Sequence, residues 1–138
     1  MNAKEFLSRA WHVEQQVQSK LEQIEALKSL ACRMTASSGT EPVSHTRNVT
    51  SMQDTVVRIL EAEEELNRRI DELVRMKVEV MQVIDRVQDV SLRLILEKRY
   101  LSFLPWEQIA VDMGYTVRWA LVRHRDALDA VQRVLEEG

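Results

Sequence analysis

The chain has one cysteine, two prolines and three glycines in 138 residues. Each shortage closes off a class of protein. Cys32 alone cannot form an intrachain disulfide, and a reducing compartment is the simple expectation. Three glycines leave no Gly-rich phosphate cradle, since neither GxGxxG nor GxxxxGKS/T occurs. So few turn-forming residues also count against an α/β or all-β fold, and the expected class is all-α. The N-terminus, Met1-Asn2-Ala3-Lys4-Glu5, is charged and lacks the apolar stretch of a signal peptide. No apolar run approaches the roughly 18 residues that cross a bilayer, so no membrane partner is expected and the cytoplasm is the expected location.

Charge is plentiful but mildly acidic: 19 Lys and Arg against 22 Asp and Glu, a formal −3. A protein whose whole surface wraps a polyanion is usually basic. The imbalance is uneven. Residues 50–88 carry 6 positive and 9 negative charges, whereas 115–125 contain Arg118, Arg123 and Arg125 and no acid. That stretch is a local basic spot on an acidic chain.

Apolar spacing gives the organisation. In 2–34, Phe6, Ala10, Val13, Val17, Ile24, Leu27, Ala31 and Met34 recur at helical intervals. Leu7, Trp11, Leu21 and Leu30 widen the stripe. Asn2 and Glu5 have the spacing of a capping box. Residues 35–49 lose the periodicity and read as a loop. From 51 to 87, Met52, Val56, Ile59, Glu63, Leu66, Ile70, Leu73, Lys77, Val80, Ile84 and Val87 alternate by four and three, a coiled-coil-like seam. Thr50 with Gln53, or Ser51 with Asp54, can cap its start. A 37-residue helix is about 55 Å long and must pair with helix 2–34, with a second chain, or with both. Residues 1–88 are therefore expected to form a long helical hairpin that serves oligomerisation. Residues 89–138 are expected to form a separate compact domain: a helix capped by Ser91, a turn at 102–105, a helix opened by Pro105 and stopped at Gly114, and a last helix capped by Thr116.

Within that domain, Ala110 followed four residues later by Gly114 has helix-turn-helix spacing. A small side chain lies where two helices cross, and a glycine where the chain must turn sharply. Ile109 and Met113 supply the inward face, and Tyr115 packs in the turn. The N-terminal turns of the second helix are the part that enters a major groove in such motifs.

Arg99-Tyr100, Ile109-Ala110, Met113-Gly114 and Ala127-Leu128 fall in the frame of region 4 of sigma-70-type factors, which residues 91–130 resemble. The whole chain also resembles small prophage proteins of Gram-positive bacteria, related in plan to phage late-gene activators of the ArpU and RinA type. These resemblances imply a helix-turn-helix that binds double-stranded DNA, a role in activating phage genes, and RNA polymerase as a further partner. Carried over by position, the DNA-contacting set is Thr116, Val117, Arg118, Leu121, Val122, Arg123 and Arg125. This set departs from the sigma pattern. Val117, Leu121 and Val122 are aliphatic, and can meet thymine methyls but cannot make bidentate hydrogen bonds to bases. Arg123 falls at an inward position, which is costly unless its guanidinium reaches water or an acid.

Other residues are less informative. Trp11 and Trp106 lie on apolar stripes and are expected in the core. His12, His45 and His124 are scattered without metal-ligand spacing, so no metal or cofactor is expected. No nucleophile and base share a helical period, so an enzyme is not expected. Glu61, Glu63, Glu64 and Glu65 read as a solvated face, except that Glu63 and Lys77 fall on the seam and can set register. Three roles remain open: a dimeric transcription regulator, a DNA-packaging protein like a small terminase subunit that assembles as a ring, and a protein-binding module that grips polymerase or a host factor without touching DNA.

Overall fold

A computed structural model describes residues 1–37 and 45–138. Among them the chain is all α-helical: α1 (Ala3–Ser37), α2 (His45–Asp85), α3 (Val90–Tyr100), α4 (Trp106–Met113) and α5 (Val117–Glu137). Two long helices precede three shorter ones, as the spacing predicts. Several boundaries differ. The expected loop at 35–49 is shorter, because 35–37 belong to α1 and 45–49 to α2; its centre, 38–44, lies outside the described residues. Thr50 and Ser51 are thus interior to α2 and not its caps. The Thr55 hydroxyl donates to the Ser51 carbonyl at 2.8 Å, a bond between successive helical turns.

The start of α1 is closed reciprocally. Glu5 N–H donates to Asn2 Oδ1 at 2.8 Å, and Asn2 N–H donates to Glu5 Oε2 at 3.3 Å, satisfying two otherwise orphaned donors. Asp89, not Ser91, caps α3, accepting from Leu92 N–H at 3.2 Å. The helix begins at Val90, which leaves Ser91 inside the first turn, where its hydroxyl bonds Tyr115 instead. Pro105 is the extended cap residue (φ −69°, ψ 156°), and Trp106 opens α4.

Contacts divide the described chain into Met1–Val13 with Glu72–Gly138, and Glu14–Asp71. The first unit joins the two ends of the sequence. The boundary expected near residue 88 falls in the link between α2 and α3, whereas packing draws 1–13 and 72–88 together with 89–138. Ala3, Leu7, Val80, Ile84, Val87, Leu92, Leu96, Tyr100, Ala127, Val131 and Val134 form its core, with Phe6 and Leu128 packed against the edge. Arg9 and Glu79 pair at 2.9 Å on its surface.

The second unit pairs two antiparallel helical segments. Thr55 meets Met34 Sδ at 3.8 Å and Lys28 meets Glu63 at 3.5 Å. Val17, Ile24 and Ile59 are buried, while Val56 and Ile70, expected on the seam, are exposed, and Thr55 is buried instead. Glu63 does face a cation across the pair, but an exposed one, which contributes little.

Candidate nucleic-acid interface

The segment from α4 to α5 is built from local chemistry. Gly114 ends α4 at φ +70°, ψ +30°, and its N–H reaches the Ala110 and Val111 carbonyls. This left-handed conformation costs an L-residue about 1–2 kcal/mol and glycine almost nothing. Tyr115 N–H donates to the Ala110 carbonyl at 2.8 Å, and the Tyr115 hydroxyl bonds Ser91 Oγ at 2.8 Å, which ties the turn to α3. Thr116 caps α5, accepting from Trp119 N–H at 3.1 Å. Ile109, Ala110 and Ala120 are buried, and α3, α4 and α5 all pack on one another. The sequence reading of Gly114, Thr116 and Ala110 matches this geometry.

Opposite the buried Ala120, Ala127 and Val131, α5 shows solvent Arg118, Leu121, Val122 and Arg125. Thr116 and Val117 are also exposed. Trp119, half exposed and edge-on to Tyr115 at 6.4 Å, adds an aromatic surface that the positional carry-over did not include. Its helical angle, one turn from Val122, was the available signal. Among the described residues neither Arg118 nor Arg125 makes an ion pair.

Arg123 stands apart from the set. Its guanidinium pairs with Asp89 at 3.3 Å and with Asp126 at 3.3 Å, and 23% of its side chain is exposed. The inward arginine is therefore satisfied by acids and not by the core, and it joins α5 to the cap of α3. Asp89 in turn has its carboxyl held below the ordinary range, first by the Leu92 N–H and then by Arg123.

A cluster behind this face escaped the sequence reading. His124 bonds the Tyr100 hydroxyl through Nε2 at 2.6 Å and meets the Trp106 ring edge-on at 4.6 Å. Burial, with smaller effects from Arg99 and Lys4, pushes the imidazole down to about 4; burial pushes the Tyr100 phenol up to about 12. Arg99 lies over the Trp106 ring at 4.9 Å and donates to the Leu104 carbonyl at 3.0 Å. Trp106 is accordingly half-buried at a polar cluster, and Trp11, expected in the core, is exposed. Among the described residues no group of His, Cys, Asp and Glu could hold a metal ion, and no helix is long and apolar enough to cross a membrane.

The chain belongs to the family described as a protein of unknown function, DUF1492, whose model matches residues 39–131. Among curated proteins and among solved structures nothing matches it.

Proposed function

We propose that this member of the DUF1492 family is a phage-derived, sequence-specific DNA-binding transcription regulator that docks the start of α5 in the major groove. One observation carries the reading: a helix, a glycine turn and a Thr-capped helix hold Arg118 and Arg125 exposed on α5, whose first turns, through residue 125, contain no acid. The likeness of residues 91–130 to region 4 of sigma-70-type factors supports it and makes RNA polymerase a second partner. Arg118 and Arg125 contact bases or phosphates, Val117, Leu121 and Val122 meet thymine methyls, and Thr116 and the helix N-terminus lie near the backbone. Arg123 serves mainly to fix α5, through Asp89. A homodimer places two such helices about one helical turn of DNA apart.

The test is fluorescence anisotropy of the full chain with its upstream promoter DNA across a salt series. Two phosphate contacts per protomer give a slope of log affinity against log salt of about −1.8, and a dimer about −3.6. Arg118→Ala should weaken specific binding by about 1–3 kcal/mol if it reads a base. No binding at about 50 mM salt, where phosphate contacts are strong, would refute the reading.

The exposed aliphatic residues favour a second reading, a protein-binding surface without DNA contact. It predicts an interaction with polymerase that Leu121→Ala weakens and salt leaves nearly unchanged. A ring-sized mass in light scattering would instead favour a packaging role like that of a small terminase subunit.

A further inference from the structure

Within the unit formed by Met1–Val13 and Glu72–Gly138, Ser8, Trp11 and His12 of α1 face Arg99 and Tyr100 of α3 and Phe103 of the following turn around a cavity of about 300 Å³. That is at the small end of the range for small-molecule sites, about 300–1,000 Å³. Four of the six lining side chains are aromatic rings, one is a guanidinium, and none is an acid. Trp11 and His12 stand edge-to-face at 5.1 Å on one wall. On the other, the Phe103 ring carries Lys77 Nζ at 5.0 Å from its centre. Arg99 is the one Lys, Arg, Asp or Glu side chain of the lining, and it is positive.

Phe103 is held there against its backbone preference. Its φ of +55° is the only positive value among the described non-glycine residues. Glycine would take this position without strain. Ser102 N–H bonds the Glu97 carbonyl at 3.0 Å, Leu104 N–H bonds the Lys98 carbonyl at 3.0 Å, and Arg99 donates to the Leu104 carbonyl, so the turn over-determines the conformation. A strained aromatic kept where glycine fits better points to a use for the ring. Arg99 uses one of five N–H donors on Leu104, which leaves donors for a ligand.

We propose that this cavity is a binding site for a small aromatic acid. The ring lies among Trp11, Tyr100 and Phe103, and the carboxylate meets Arg99 and the Ser8 hydroxyl. An apolar cavity of about 150 Å³ holds benzene, so this one has room for a bicyclic ring with its acid group. The site is independent of the DNA-contacting face and stands whether or not that face binds DNA.

The test uses the full chain titrated with indole-3-carboxylate, with indole and tryptamine as neutral and cationic counterparts, followed by isothermal titration calorimetry in every variant and, where Trp11 is present, by NMR shifts of its indole N–H. Saturable binding by the carboxylate, about tenfold or more tighter than tryptamine, is expected, since one charge-assisted contact is of that order. Phe103→Gly should remove at least about tenfold of that affinity while the fold persists, because glycine accepts the turn. Trp11→Ala, at an exposed position, should do the same and serves if Phe103→Gly fails to fold. No saturation by the carboxylate up to about 10 mM, equal binding of tryptamine, or unchanged affinity in Trp11→Ala would overturn the assignment.

Discussion

His124 should make stability depend on pH in a window set by its own burial. Folded, its imidazole is pushed down to about 4, against an ordinary 6.5, chiefly because the ring is packed against Tyr100 and Trp106. The unfolded chain therefore binds a proton more readily than the folded one between pH 6.5 and about 4. Stability is full above pH 6.5, falls as the pH drops through this window, and stops falling on this account below about 4. Each tenfold difference in proton affinity corresponds to about 1.4 kcal/mol, so the full span is about 3.4 kcal/mol; the ring keeps some contact with water, and about 2 kcal/mol is the discounted expectation. The Tyr100 hydroxyl gives the loss a structural cause. A neutral ring can accept the phenol proton at Nε2, whereas a protonated ring must donate there and displaces that proton. Urea unfolding followed by circular dichroism, from pH 7 to 4, checks the difference between the native chain and His124→Gln. The variant starts less stable but should lose about 2 kcal/mol less over the window. Asp89 does not interfere, because its stabilising contribution is lost only below its ordinary 3.8. Parallel stability profiles, or an imidazole NMR titration of His124 near 6.5, would refute the reasoning.

Three further outcomes follow from the packing and the turns. Ile84→Ala deletes a fully buried side chain in the core that joins both ends of the sequence, and should cost about 2–5 kcal/mol in chemical unfolding. Gly114→Ala meets no atom within 4 Å, so its cost should be the conformational one alone, about 1–2 kcal/mol by thermal melting. Asp89→Ala removes the α3 cap and one partner of Arg123 together; it should lower the melting temperature and, in a double-mutant cycle with Arg123→Ala, show a non-zero coupling.

What was legible in the sequence is what is decided locally. Asn2 with Glu5, Ala110, Gly114 and Thr116 were readable because their roles depend on neighbours three or four residues away. The start of α2 was not, since residues 45–49 carry a single apolar side chain, Val49, and so no stripe that marks a helix. The seam of α2 was readable as a stripe, but which flank turns inward depends on the partner, so Thr55 is covered and Val56 is not. Trp11 is expected in the core because it lies on the apolar stripe of α1, yet it sits at the rim of that stripe, where it lines a cavity. His124 was hidden because Tyr100 and Trp106 reach it across 24 and 18 residues of sequence. The packing of 1–13 with 72–138 is non-local in the same way, and no period of the chain encodes it.

The charge on α5 bears on what kind of partner that face can hold. Of the three arginines in 115–125, Arg123 already has Asp89 and Asp126 beside it, so a partner meets Arg118 and Arg125 across Leu121 and Val122. On the DNA-binding reading two cations per protomer are too few to hold a polyanion by electrostatics at physiological salt, where even proteins with many contacts lose affinity steeply. The remaining affinity must come from a second copy, which doubles the contacts and matches a two-fold site, or from polymerase bound alongside. The overall −3 works in the same direction, opposing non-specific residence on DNA and leaving binding dependent on a matching site or a bound partner. Releasing Arg123 from both acids with Asp89→Asn and Asp126→Asn together tests that division of labour: the salt dependence should steepen by about 0.9 per protomer if the freed guanidinium reaches a phosphate, and stay unchanged if it is only a structural pin.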